Sequence, residues 1–289
     1  MIEASFYEDF ENDSVRCRLC PHNCVIKAFQ KGKCGVRENR YGKLYSNVYG
    51  KVITLAVDPI EKKPLFHFEP GKKTLSIATI GCNFTCSFCQ NSNISQGYKT
   101  SKHPPGKTYS PQHILDLAKE KNTNIISFTY SEPTIAFEYY KDIMKLGKDQ
   151  GFKFVFVTNG YINLDPLKEL KGLINAANID LKSFNEEFYK KEVCGKLQPV
   201  LDAIKLYYDL GIHIEITTLV IPTKNDTEDN FRKIAQFIFD LDPTIPWHIS
   251  RFFPHFMLKD LPPTPIETLK KAADIGREVG LKNIYLGNV

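Results

Sequence analysis

Three cysteines, Cys82, Cys86 and Cys89, fall within the short stretch GCNFTCSFCQN. A closed tetrahedral metal site takes four thiolates and a disulfide takes two, so three is the number to explain. Iron–sulfur clusters are held by cysteine thiolates, normally one per iron in a four-iron cubane. Three thiolates on such a cluster leave one iron open to a substrate or cofactor, much as a catalytic zinc keeps one position open. A zinc site completed by a distant histidine is the competing chemistry. Zinc usually draws its ligands in CxxC or HxxxH pairs, which CxxxCxxC fits less well. Three cysteines this close together also make poor core filler, so the cluster reading leads.

A second set lies upstream. Cys17, Cys20, Cys24 and Cys34 come with Pro21 and Gly35 as turn residues. Four thiolates at this spacing could close a structural zinc site or hold a second iron–sulfur cluster with no open iron. Spacing does not separate the two, and reduced loop cysteines without metal are the bland alternative. His22, among them, reads as an alternate ligand or as an exposed loop residue. The eighth cysteine, Cys194 in KEVCGK, is a candidate radical relay or thiol donor. Beside a glycine, a small packing residue is its plainer reading. Eight cysteines in a reducing compartment speak for metal or redox chemistry, not for a disulfide framework.

The elements that must position these groups start at residue 74. Apolar, β-branched runs recur there: TLSIAT, NIISFTY, FKFVFVT, AANIDL, IHIEITTLVI and WHISRFF. Helical patterns separate them, including SPQHILDLAKEK, TIAFEYYKDIMKLGKDQ, PVLDAIKLYYDLG and DTEDNFRKIAQFIFD, the last with Asp226 or Thr227 as N-cap. Six strand–helix units in series predict an α/β fold of parallel strands with right-handed crossovers. TLKKAADIGREVG and NIYLGNV can add a seventh. Barrel-like sheets do their chemistry at the C-terminal strand ends, and the polar outliers fall at those ends. The cysteine loop follows the first strand, Glu132 the second, and Thr158 and Asn159 the third. Asp180 and Lys182 end the fourth, and His248 and Arg251 lie in the sixth. His248 alternates with Trp247 and Ile249, so a hydrogen-bonded core histidine is its bland reading. Residues 1–70 show no such alternation. GKLYSNVYGKVITLAV reads as a hairpin or two short strands, followed by the loop DPIEKKPLFHFEPGKK. The expected division is an N-terminal cysteine-containing extension, 1–70, and a barrel, 71–289.

At 289 residues, the chain has the size of one α/β barrel or two smaller domains. Its net charge of +5 is mild and dispersed, and PIEKKP and PGKKT read as solvated lysine surface, so nothing calls for nucleic acid. No run of apolar residues is long enough for a membrane span, and the acidic N-terminus has no signal-peptide core. The cytoplasm is the simplest expectation.

CNFTCSFC resembles the CxxxCxΦC signature of radical S-adenosylmethionine (SAM) enzymes, with Phe88 in the aromatic slot. The resemblance implies a partial (β/α)6 TIM-like barrel and a [4Fe–4S] cluster on Cys82, Cys86 and Cys89. SAM would chelate the open iron through its amino and carboxylate groups. One electron from the reduced cluster would then cleave it to methionine and a 5′-deoxyadenosyl radical. Position by position, the resemblance puts Phe88 near the adenine and Glu132, in TYSEP, on the methionyl amino group. Tyr130 and Ser131 replace the usual glycines there, which places Tyr130 at the SAM pocket. Thr158, Asn159 and Gly160 match the TNG of glycyl-radical-enzyme activases, and Asp180, Leu181 and Lys182 match their DLK, which helps hold SAM. His248 and Arg251 keep a SAM or substrate role open. Val157 stands where those activases carry an acidic residue, so a cation site using that carboxylate is not expected.

A narrower resemblance spans nearly the whole chain. CRLCPHNC, GKCGVREN, DPIEKKPLFHFEPG, GCNFTCSFCQN, TYSEPT and PWHISRF are similar to the AmmeMemoRadiSam-system radical SAM enzymes, often catalogued as pyruvate formate-lyase-activating-enzyme-like. Such members run on past a GN into a short cysteine-containing tail, which makes this chain a short member or a truncated one. The implied partners are SAM, a low-potential electron donor such as flavodoxin or ferredoxin, and a protein glycine or small molecule as hydrogen donor. Alternatives are a glycyl-radical-enzyme activase specifically, a non-catalytic iron–sulfur electron carrier, and a zinc-dependent nucleic-acid-binding protein. A carrier would normally fill all four iron positions and has no need of Glu132, Asn159, Asp180 and Lys182 at strand ends. A nucleic-acid binder calls for a clustered basic face.

Overall fold

A computed structural model describes residues 1–101 and 103–289. Seven parallel strands lie side by side in chain order: Lys73–Ala78, Ile125–Phe128, Lys153–Thr158, Ala176–Asp180, His213–Val220, Trp247–Arg251 and Ile284–Gly287. Thr54–Pro59 runs antiparallel along the first of them and forms one edge of the sheet. Each strand pairs with the next in sequence, the winding of a barrel that has been left open. The seventh parallel strand forms as the sequence allows, pairing Trp247 with Ile284 and Ser250 with Gly287.

Local chemistry accounts for the main elements. Phe154, Val155 and Phe156 are buried in succession, as expected of a strand covered on both faces. Helix Pro111–Glu120 starts on Ser110, whose side chain accepts from His113 N, and has proline in its first turn. Helix Glu228–Leu241 is capped by Thr227, settling the choice between Asp226 and Thr227. Helix Ile266–Val279 ends on Gly280 at φ +110°, a left-handed conformation that glycine takes without a Cβ penalty. No helix among the described residues is long and apolar enough to cross a membrane.

Ahead of the barrel, Tyr7–Phe10, Ser14–Cys17 and Val25–Ile26 form one small antiparallel sheet, and Ile2–Glu3, Lys43–Ser46 and Arg37–Arg40 another. Of the hairpin or short strands expected within GKLYSNVYGKVITLAV, short strands form, Lys43–Ser46, Lys51–Val52 and Thr54–Pro59, and they do not pair with one another. Lys43–Ser46 instead folds back on Arg37–Arg40 through Tyr41 and Gly42, at φ +53° and +77°. Two consecutive positive φ values are the two-residue turn that matches strand twist. This frees Thr54–Pro59 to join the large sheet.

The loop after that strand crosses the N-terminal end of the barrel. Phe66 N and His67 N donate to the Glu215 carboxylate at 3.0 and 2.8 Å, and Asn178 Nδ2 donates to Pro64 O at 2.8 Å. The expectation of solvated lysines in PIEKKP fails at Lys63. A 3-10 turn at Ile60–Lys62 points Lys63 inward, where it is 2% exposed with Nζ 2.7 Å from Asp58 Oδ2.

Candidate active site

The parallel strands open onto a cavity of about 330 Å³. Cys82, Cys86, Phe88 and Cys89 line it from the loop after the first strand. Tyr130 and Glu132 line it after the second, Thr158 and Asn159 after the third, and Asp180 and Lys182 after the fourth. Val157 also lines it, presenting an apolar side chain where the activases carry an acid.

The cysteine loop is held from several sides. Thr85 N and Ser87 N donate to the carbonyls of Val193 and Glu192, tying the loop to the turn after the fourth strand. Gln96 Nε2 and Lys99 Nζ both donate to Phe84 O. Phe84 N points at Cys82 Sγ from 3.4 Å, Asn159 Nδ2 at the same sulfur from 3.7 Å, and Ser95 Oγ lies 3.0 Å from Cys89 Sγ. Burial pushes the Cys82 thiol well above its ordinary range and the Cys86 thiol up to about 12, while Lys182 and Lys99 pull Cys86 back. Such thiols stay protonated alone and become ligands when a metal centre supplies the compensating charge. The donor set fits a three-thiolate cluster. No three His, Cys, Asp or Glu side chains among the described residues gather as a site for a single metal ion, whereas a cluster spreads its thiolates over separate irons.

Opposite the thiols, Glu132 is buried and already oriented. Its carboxylate accepts from Thr134 N at 3.0 Å, Thr158 Oγ1 at 2.7 Å and Asn159 N at 2.8 Å. Burial raises its pKa, and these bonds only partly offset that. A carboxylate has about four acceptor sites, so one is left for a donor in the cavity. Lys182 Nζ lies 2.7 Å from Asp180 Oδ2 and 5.7 Å from the centre of the Phe88 ring. Burial works against the ammonium charge, but the Asp180 carboxylate outweighs it and holds Lys182 above the ordinary lysine range.

Three named candidates lie away from the cavity lining. His248 Nε2 is 2.6 Å from Glu215 Oε2, and its ring stacks on Tyr285 and meets Phe66 edge-on. Its side chain serves the closed end of the barrel. Arg251 donates from Nε to Thr264 O at 2.7 Å and lies over Phe253. Cys194 is exposed, at φ +58°, after the Tyr189–Val193 turn.

Of the quartet in the N-terminal layer, Cys17 and Cys34 are buried and Cys20 and Cys24 half-buried, and none forms a disulfide. His22 is not an exposed loop residue. It is half-buried, with Nε2 2.8 Å from Asn83 O and its ring edge-on to Tyr161. Tyr130 lines the cavity as expected, whereas Glu215 and the Lys63–Asp58 pair on which Tyr130 rests carry little signal in the sequence. Tyr130, at φ +66°, sends its hydroxyl to Asp58, and Lys63 lies 4.4 Å from its ring centre. The only signal for Glu215 was its place in IHIEITT, where alternate positions carry His213, Glu215 and Thr217 among apolar neighbours.

The model for the radical SAM superfamily matches residues 76–238. An uncharacterised protein of Methanocaldococcus jannaschii is 46% identical over 290 residues, covering 100% of this chain and 86% of its own length. A putative glycyl-radical enzyme activating enzyme of the same organism is 30% identical, over 74% of this chain and 79% of its own. Among solved structures, a radical SAM methyltransferase from Sphaerobacter thermophilus superposes with a TM-score of 0.58 at 14% identity, covering 77% of this chain and 68% of that one. The last is a likeness of fold.

Proposed function

The chain belongs to the radical SAM superfamily, whose enzymes use a [4Fe–4S] cluster and SAM, and from that premise we propose that Cys82, Cys86 and Cys89 hold the cluster in this chain. The observation that carries the reading is the convergence of these three thiols with Glu132, Asp180 and Lys182 on one cavity. When bound, the cluster supplies the electron that cleaves SAM to methionine and a 5′-deoxyadenosyl radical, which takes a hydrogen atom from a protein glycine or a small molecule.

The chain's own residues bind and orient. Glu132, fixed by Thr134, Thr158 and Asn159, takes the methionyl ammonium with its remaining acceptor site. Lys182, steadied by Asp180, supplies positive charge beside the thiolates and SAM, and Phe88 offers an apolar face to the adenine. Lys62, Gln90, Ser250 and Asn288, which also line the cavity, are left to meet the substrate. Val157 removes the acidic position that the activases carry, which favours a substrate other than theirs. A low-potential donor such as flavodoxin or ferredoxin, in the cytoplasm, completes the proposal. The test is anaerobic incubation of the reduced, cluster-loaded protein with SAM, followed by assay for 5′-deoxyadenosine. Failure to form it under turnover would reject the reading.

A further inference from the structure

We infer that Cys17, Cys20, Cys24 and Cys34 hold a second iron–sulfur cluster, seated against the loop that carries Cys82, Cys86 and Cys89. The fold assembles the four from separate turns. Cys17 N donates to Cys24 O at 2.9 Å across a hairpin, Asn23 N closes a turn on Cys20 O, and Gly35 N closes another on Gly32 O beside Cys34. Gly32 sits so close that a side chain there would stand 3.1 Å from Ile26 and 3.7 Å from Cys24 Sγ.

Charge around the quartet agrees. Arg37, three residues beyond Cys34, is 1% exposed, and its Nε is buried without a partner. Its other nitrogens reach Glu138 and Ser5 O. A buried four-thiolate centre is anionic and needs such cations nearby.

Placement beside the trio's loop is equally specific. His22 Nε2 is 2.8 Å from Asn83 O. A side chain on Gly81 would come within 2.7 Å of Val36 Cγ1 and 2.8 Å of Cys34 O, and one on Gly35 within 2.6 Å of the Lys99 backbone. The quartet cluster is thus an electron port. It gives up one electron as the trio's cluster gains one, and a one-electron protein donor re-reduces it. This route rests on the proposed function above; the second cluster itself does not.

The test uses anaerobically prepared protein, analysed for metals and by electron paramagnetic resonance. Cys82→Ala/Cys86→Ala/Cys89→Ala should retain about four irons and a reducible cluster whose spectrum ignores SAM. Cys20→Ser/Cys24→Ser should retain about four irons in a cluster that responds to SAM, and the wild type about eight, with spectra broadened by the neighbouring spins. Zinc in place of iron in the trio variant, or no metal, overturns the second cluster. Unbroadened, additive spectra overturn its placement. With reduced flavodoxin as donor, the SAM-responsive signal should grow in at least tenfold more slowly in the quartet variant. An equal rate overturns the electron route. A quartet variant that ignores SAM would instead count against the proposed function, leaving the trio variant to decide the second cluster.

Discussion

Thr158 Oγ1 donates to Glu132 Oε1 at 2.7 Å, locking the segment after the second strand to the end of the third where both face the cavity. The contact orients the carboxylate before any ligand arrives. In cluster-loaded protein, Glu132→Ala and Lys182→Ala should therefore each weaken SAM binding. Loss of a hydrogen bond to a charged group costs about 1.5–3 kcal/mol, or roughly ten- to a hundredfold in affinity. Thr158→Val, which removes only the orienting bond, should have a smaller effect in the same direction. Titration of the cluster spectrum with SAM measures all three, and unchanged affinity in Glu132→Ala and Lys182→Ala would mean that SAM binds elsewhere.

Glu215 makes a stability switch at acid pH. Burial alone would raise its pKa, but His213, His248 and the N–H groups of Phe66 and His67 bring it down to about 2, against an ordinary 4.5. A depressed folded-state value means the stabilisation is present above about pH 4.5 and is lost as pH falls towards 2. The shift corresponds to roughly 3 kcal/mol. Thermal unfolding of the wild type should fall steeply across that window. Glu215→Gln should be less stable at pH 7 and show a flatter profile below pH 5. A parallel profile would place the acid sensitivity in other carboxylates.

Lys63 and Asp58 should behave as a coupled buried pair. Their side chains are 2% and 6% exposed, and their charged atoms lie 2.7 Å apart. Removing one partner strands a buried charge, which typically costs about 3–5 kcal/mol. Lys63→Ala should cost towards the lower end, because Lys62 and Tyr130 still reach Asp58. The double variant Asp58→Ala/Lys63→Ala should be destabilised by clearly less than the sum of the single ones. Additivity in denaturant unfolding would show that the pair is not coupled.

The barrel and the cysteine trio were legible because their signals are local. A strand–helix alternation and a CxxxCxxC spacing can be read within a few residues. The residues the sequence misplaced depend on distant partners. His22 meets Asn83, 61 positions away, and the backbone of His67 meets Glu215 across 148 positions. Lys63 reads as one more surface lysine until the turn at Ile60–Lys62 is known. His248 lies in the strand as expected, but its side chain serves the closed end of the barrel, a distinction alternation alone does not make. Short strands in the N-terminal layer were legible, but their pairing was not, because the positive φ of Tyr41 carries no strong sequence signal, and that turn decides which strand pairs with Arg37–Arg40.

The most direct test of the central claim is 5′-deoxyadenosine formation from SAM by anaerobically reduced protein, measured for the wild type and for Cys82→Ala, Cys86→Ala and Cys89→Ala. The wild type should release 5′-deoxyadenosine, and each single variant should release none above the protein-free control. Sustained formation by a variant lacking all three cysteines would contradict the assignment of the cluster, and with it the function proposed for the cavity.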